Sequence, residues 1–559
     1  MKNAVLSLCF SVLFLISAAV YANDVKPPKS AVVSAHSIAT QAGYSILEKG
    51  GNAFDAAVAV SAALGVVEPF GSGIGGGAFW LIYHAQSDTY LVIDARETAP
   101  LAAHADMYLD EQGNPIDGAS TSGPLSAGIP GLPAAWVHVN KRFGTQTLLD
   151  VLTPAISAAQ NGFEVDERYI TGAAFKQKQL LQNQAASEIF LSDGNVPKKG
   201  WVLKQADLAQ TLQTLGREGH NGFYGGIIAQ KMVGDVRLHG GIWSLQDFEN
   251  YTAKERSPII TQYKNAKIIA PPLPSSGGMV LANTLNILSG YDLNAYNTAD
   301  QKHLIIEAMK HAYHNRAIHM GDEDFVSVPT KNILSMDMAK KQSAMITMKK
   351  SLPSSGIAQI APQPPKGTET THFAVMDKDG NRVAVTQSIN FWFGSGFVAK
   401  GTGVLLNNEM DDFVIKPGVA NGYGLVGTTA NAIEPSKRML SSMTPTFVED
   451  EKGVLILGTP GGSRIISMNL LTILAYLNGE VGDNLVSAPR YHHQFLPDKV
   501  VYEEGAFSPS EIKALLDKGH VLEKSSRKYG NMQVIHWGYE AQSVDTFSDP
   551  RGHGAGRVY

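Results

Sequence analysis

Thr370-Thr371-His372 open a β-branched and apolar run that ends at Met376, directly behind a stretch rich in proline, serine and glycine. A threonine hydroxyl is a weak nucleophile unless a base stands beside it. One way to supply that base is to make the threonine an N-terminal residue, whose own α-amine takes the hydroxyl proton. An α-amine titrates at about 7.7–8.0, so a useful fraction is neutral near pH 7 without histidine or metal. The scheme requires the Glu369–Thr370 peptide bond to be cut. The preceding Ser351–Glu369 (SLPSSGIAQIAPQPPKGTE) has the composition of an exposed loop that would let a new terminus clear the site. On these residues alone, two threonines opening a strand after a loop are the plainer account.

Other patterns are weaker. Gly71-Ser72-Gly73-Ile74-Gly75-Gly76 satisfies G-x-G-x-x-G, with Asp94 and Glu97 about twenty residues on. A dinucleotide site needs strand, then glycines, then helix. Here an alanine-rich helix precedes and the strand-like Ala78–Tyr83 follows, so a tight loop with close backbone approach is the better reading. Glu307, His311 and His314 fall at helical spacing and could ligate a metal. Stray polar residues on the solvated side of a helix give the same pattern, and no metal or organic cofactor is expected.

The elements that must position these residues change character along the chain. Helical patterns dominate the first two-thirds: Ile38–Leu47, Ala53–Val67 behind the N-cap candidate Asn52, Leu148–Asn161, Lys204–Glu218, Gly277–Leu288 and Lys302–Met320. After about residue 370 the runs become strand-like. Phe373–Met376 and Arg382–Thr386 flank Asp377-Lys378-Asp379-Gly380-Asn381, a hairpin signal. Further strands are expected at Val404–Leu406, Thr446–Val448, Val454–Leu457 and Met532–Trp537, with an apolar helix at Ser463–Leu477. The mixture predicts an α+β layered fold.

Composition narrows the class. The 46 Lys+Arg against 51 Asp+Glu leave a net charge of −5, which argues against a nucleic-acid partner. Lys2, the apolar Ala4–Val20 and the small residues before Asn23 read as an export leader cut after Ala22. The single cysteine, Cys9, lies within it, so the exported chain would have no disulfide or cysteine nucleophile. The expected location is the periplasm or the medium.

Seven stretches, in order, resemble the γ-glutamyltranspeptidase family over essentially the whole length after the leader. They are GGNAFDAAVA (50–59), DARETAP (94–100), PPLPSSGG (271–278), ETTHFAVMDKDGN (369–381), LLNNEMDDF (405–413), LSSMTPT (440–446) and TPGGSRI (459–465). The resemblance implies an N-terminal-nucleophile hydrolase with a four-layer αββα sandwich, made as one precursor that cuts itself. The organisation implied is a leader at 1–22, a large subunit at 23–369 and a small subunit at 370–559.

The same resemblance implies roles. Thr370 matches the nucleophile, and Gly461 and Gly462 match the backbone pair that forms the oxyanion hole. Arg96 matches the arginine that holds an α-carboxylate; Glu409 and Asp412 match groups contacting an α-ammonium. Asn390, Ser441 and Ser442 match further ligands of that zwitterionic end, and Thr371, Thr386 and Ser388 match a hydroxyl network beside the nucleophile. Ile415–Gly427, with Tyr423, resembles a lid over the bound glutamyl group. Ser388 and Glu409 stand where some bacterial members carry threonine and glutamine, which bears on acceptor preference. The activity implied is transfer of a γ-glutamyl group from glutathione or a related donor to water, an amino acid or a peptide. The alternatives are a β-lactam acylase-like amidase on the same scaffold and an unprocessed, inactive binding protein.

Overall fold

The computed structural model describes residues 26–354 and 370–559. Two antiparallel sheets lie face to face between helical layers. The first has seven strands in the order Ala555–Val558, Ala31–Ser34, Thr371–Met376, Arg382–Ser388, Gly77–His84, Thr89–Ala95 and Lys254–Arg256. The second has six: Ser543–Ser548, Gln533–Gly538, Gly453–Gly458, Thr446–Asp450, Ala266–Ala270 and Ile259–Tyr263. Their inner faces interdigitate through Phe79, Leu81, Ala374, Met376, Phe447 and Ile456. The outer face of the first sheet packs on helices that include Ser37–Glu48, Ala53–Val67 and Leu148–Asn161. That of the second packs on Gly277–Leu288, Thr298–His319 and Arg464–Leu477. The architecture is the expected αββα sandwich.

Local signals explain several elements. Ala53–Val67 is apolar all round, as a helix must be when every residue in it is buried. Its start is held by a capping box between Asn52 and Asp55. The hairpin at 377–381 forms as expected: Asp377 Oδ1 accepts from the backbone N–H of Asp379 and Asn381, and Gly380 turns the chain at φ +91°. The glycine loop at 71–76 follows a helix and precedes a strand, and it is packed against backbone. A Cβ on Gly75 would stand 2.1 Å from the Leu405 carbonyl oxygen, and one on Gly76 would stand 2.0 Å from that of Ser388.

The structure adds to one expectation and corrects another. The first two-thirds is mainly helical, as expected, but it also supplies six strands to the two sheets. Of these Ala31–Ser34, Ala266–Ala270 and Ile259–Tyr263 are short, and the first is buried on both faces, so it carries no alternation. Lys254–Arg256 is a charged edge strand. Glu307 and His311 are not on a solvated face: both are buried, Glu307 completely. Lys310 Nζ reaches Glu307 Oε1 at 2.9 Å, so the carboxylate serves an internal ion pair. The leader and residues 355–369 lie outside the described residues. No helix among the described residues is long and apolar enough to cross a membrane.

Candidate active site

The site gathers at one end of both sheets because antiparallel pairing brings the right strand ends together. Thr370 precedes the strand Thr371–Met376, and Ser388 ends the neighbouring strand, whose Gln387 pairs with Thr371. Ser388 pairs in turn with Gly77, and Ala78 with Ala95, so Arg96 follows at the same end. In the second sheet Gly458 pairs with Gln533 and leads into Gly461-Gly462, while Ser441-Ser442 lead into Thr446. One pocket is lined by Thr370, Arg96, Ser388, Asn390, Glu409, Asp412, Tyr423, Ser441, Ser442 and Gly462. It thus collects ten of the positions singled out in the sequence. Leu425, Met443, Ser463 and Ile465 complete the wall. These four lie inside the stretches 415–427, 440–446 and 459–465 quoted above, but being apolar or small they gave no sign of their own of lining the site.

Three expected members stand outside that pocket. Side chains alternate along a strand, so Thr371 faces the helical layer, where its hydroxyl donates to Glu68 Oε2 at 2.7 Å. Thr386 lies on the inter-sheet side, fully buried, 2.9 Å from His372 Nδ1. Gly461 lines the adjoining pocket instead.

Thr370 Oγ1 lies 3.2 Å from Ser388 Oγ, which accepts the Asn390 N–H at 2.8 Å. Asn390 sits at φ +75°, a left-handed conformation asparagine tolerates better than most residues. Its amide donates to the Asn408 carbonyl at 2.9 Å, tying it to the segment that carries Glu409. His372 is the imidazole nearest in sequence, but burial pushes it down to about 3, and its ring faces Thr386. A group that weakly basic is a poor acceptor for a hydroxyl proton.

Arg96 is almost wholly buried and surrounded by acceptors. Its guanidinium meets Glu409 at 2.7 Å, Asp412 at closer range, and Glu97 at 3.4 Å, while Nε donates to the Met439 carbonyl at 3.1 Å. Asp94 is not its ion-pair partner: that carboxylate accepts the Arg96 backbone N–H and pairs with Arg256 and Arg438. Three carboxylates round one guanidinium leave an excess of negative charge. Burial accordingly pushes Glu409 up to about 7 against the pull of Arg96, and burial likewise raises Glu97 and Asp412. Glu409 Oε1 is buried and has no hydrogen-bond partner.

The motifs hold each other. Asn407 donates to the Gly75 and Gly128 carbonyls at 2.7 and 2.8 Å, and its Oδ1 accepts the Glu409 N–H at 3.0 Å. The glycine loop therefore fixes the acidic turn Glu409–Asp412. Ser276 N–H donates to the Ser441 carbonyl at 2.8 Å, and Ser441 N–H to the Pro274 carbonyl at 2.7 Å. Over the pocket, Asn421 Nδ2 reaches Asp412 at 3.2 Å, Gly422 N–H reaches Asp411 at 2.8 Å, and the Tyr423 hydroxyl donates to the Asn390 carbonyl at 2.9 Å.

A two-sheet αββα sandwich with a threonine at the end of an inner strand defines the N-terminal-nucleophile hydrolase class. The family model described as gamma-glutamyltranspeptidase matches residues 39–559. The glutathione hydrolase proenzyme of Pseudomonas sp. (strain A14) is 44% identical over 87% of this chain and 85% of its own. That of Escherichia coli (strain K12) is 41% identical over 95% and 91%. Among solved structures, the cephalosporin acylase from Bacillus halodurans superposes with a TM-score of 0.82 at 25% identity, covering 98% of this chain and 99% of that one. A chain of Helicobacter pylori gamma-glutamyltranspeptidase gives 0.58 at 36% identity, covering 60% and 97%. The chain belongs to the γ-glutamyltranspeptidase family.

Proposed function

We propose that the chain is an exported γ-glutamyltransferase and glutathione hydrolase that matures by cutting itself between Glu369 and Thr370. The observation that carries this reading is one pocket in which a buried guanidinium and two carboxylates accompany a threonine hydroxyl. A glutamyl group bears an α-carboxylate and an α-ammonium together. Arg96 suits the first with a planar fork, and Glu409 and Asp412 supply the negative charge the second needs.

In the precursor the Thr370 hydroxyl attacks the Glu369 carbonyl, and water hydrolyses the resulting ester to leave 23–369 and 370–559. The freed α-amine then takes the hydroxyl proton as Thr370 attacks the γ-carbonyl of the donor. Backbone N–H groups of Gly461 and Gly462 stabilise the oxyanion, and the ammonium returns its proton to the leaving amine. The γ-glutamyl ester passes to water or to an acceptor amine. Ser388, Asn390, Ser441 and Ser442 orient the glutamyl group, and Tyr423 closes over it. The leader at 1–22 accounts for export.

Denaturing electrophoresis with N-terminal sequencing tests the reading. The smaller fragment should begin Thr-Thr-His-Phe, and Thr370→Ala should abolish both cleavage and release of p-nitroaniline from γ-glutamyl-p-nitroanilide. A full-length chain that persists without turnover would instead support an inactive binding protein. An acylase is the second reading, favoured by 34% identity to the acylase ACY 1 proenzyme of Pseudomonas sp. (strain V22). Glutaryl amides lack the α-ammonium, so they would leave Glu409 and Asp412 unmatched; turnover of glutaryl in preference to γ-glutamyl amides would select it.

A further inference from the structure

A buried arginine stands behind the acidic turn Glu409–Asp412. Arg316 lies near the end of the helix Thr298–His319 and is 5% exposed. Its Nε donates to Ser276 Oγ at 3.0 Å, and that hydroxyl donates to the Ser441 carbonyl at 2.7 Å. One turn earlier the Tyr313 hydroxyl donates to the Ser463 carbonyl, so the helix braces the site at two points. The terminal nitrogens of Arg316 have no hydrogen-bond or ion-pair partner among the described residues. A helix C-terminus favours a cation, but an exposed lysine would meet that need. It gives no reason to take a guanidinium out of water and leave its planar fork unused.

The surroundings of the fork supply one. Arg316 lines a narrow cavity with Asp412, Asn421 and Asn431. The cavity encloses about 10 Å³, the space of a single water. Asp412 also lines the pocket that holds Thr370, so its carboxylate stands between the two spaces. On the pocket side Arg96 pairs with it, and Glu409 and Glu97 crowd the same guanidinium. Of the residues lining the cavity, only Arg316 carries a charge besides Asp412 itself. Two cations therefore oppose the effect of burial on Asp412, where Arg96 alone opposes it on Glu409.

We propose that Arg316 is a positioning residue for the donor: acting across the cavity, it holds the Asp412 carboxylate charged and turned to the α-ammonium of the glutamyl group. The inference rests on the γ-glutamyl-transfer reading. Arg316 touches neither donor nor nucleophile and works only through Asp412. Without it, Asp412 becomes one of three carboxylates sharing a single guanidinium. It then takes up a proton in the same range as Glu409, and the charge that selects an ammonium is lost.

The test uses the processed enzyme, with L-glutamate and glutarate as competitive inhibitors of γ-glutamyl-p-nitroanilide hydrolysis. The two differ only in the α-ammonium, so the ratio of the glutarate Ki to the glutamate Ki reports its recognition. Titration of the Thr370 amine acts on both inhibitors and cancels in the ratio. In the native enzyme the ratio should be about tenfold or more near pH 8, as a charge-assisted contact implies. Below about pH 7 it should fall with the uptake of one proton, that of Glu409. Arg316→Gln should lower the ratio at neutral pH by about tenfold and make the fall a two-proton one. Arg316→Lys should restore part of both. A purely structural role would weaken both inhibitors alike, so a native ratio and slope in Arg316→Gln overturns the proposal. Should that variant fail to mature, the native slope decides: a two-proton fall would mean that Asp412 titrates with Glu409 despite Arg316, and also overturns it. A native enzyme that releases no p-nitroaniline, or binds glutarate as tightly as glutamate, would instead sink the transfer reading itself.

Discussion

Glu409 is the residue where burial and function pull in opposite directions. Its carboxyl titrates near 7 in the folded chain and near 4.5 when unfolded, because burial outweighs Arg96. Between those values the native state holds the extra proton, so stability falls as pH rises from about 4.5 to 7, by at most about 1.4 kcal/mol per unit. Glu409→Gln should flatten that window in denaturant titrations; an unchanged slope would mean that another group carries the proton. Donor binding should run the other way. An α-ammonium needs the carboxylate, so KM for γ-glutamyl-p-nitroanilide should climb as pH drops below about 7, and Glu409→Gln should remove that limb. Arg96 was legible from its motif as a residue of the site. Its burial and its Met439 contact were not, because they depend on a segment more than three hundred residues away. Arg96→Lys keeps the charge but loses the fork; donor KM should rise about tenfold or more with expression intact.

At the level of elements, the turn Thr459–Ser463 and the segment that carries Tyr423 must fit each other. Gly462 sits at φ +58°, and a Cβ there would stand 2.3 Å from Cε1 of Tyr423. Gly462→Ala therefore strains the turn and pushes Tyr423 out. Its kcat for γ-glutamyl-p-nitroanilide should fall about a hundredfold, the scale of losing one oxyanion donor, while denaturing gels still show some cleaved chain. A variant with native kcat would show that the pair does not serve the transition state. Elements with a strong local signal, such as Ala53–Val67 with its cap or the Asp379-Gly380 hairpin, were readable in advance. The strands at 31–34 and 259–270 were not, since a short strand gains its identity from neighbours on the sheet rather than from its own pattern. The same limit applies to Thr371 and Thr386. Their hydroxyls were grouped with the nucleophile by the family resemblance, and strand alternation turns them to Glu68 and His372.

Across the whole molecule, a cut before Thr370 would divide the sequence without dividing the fold. Ala31–Ser34 lies between Ala555–Val558 and Thr371–Met376, and Gly77–His84 pairs with Arg382–Ser388. In the second sheet Thr446–Asp450 pairs with Ala266–Ala270. Trp80 meets Phe373 edge-on across the same division, at 6.0 Å between ring centroids. Each sheet thus holds strands from both sides, and parting the pieces would break four strand pairings and expose the core between the sheets. The processed protein should elute as one native species that yields two bands only under denaturing conditions. Unfolding should be cooperative across the cut. Single-tryptophan variants retaining Trp80, on the large piece, or Trp537, on the small one, should report the same denaturant midpoint. Two separated midpoints would mean that the pieces fold as independent units, and the site would then have to assemble by docking, because Arg96 and Thr370 come from opposite sides of the cut.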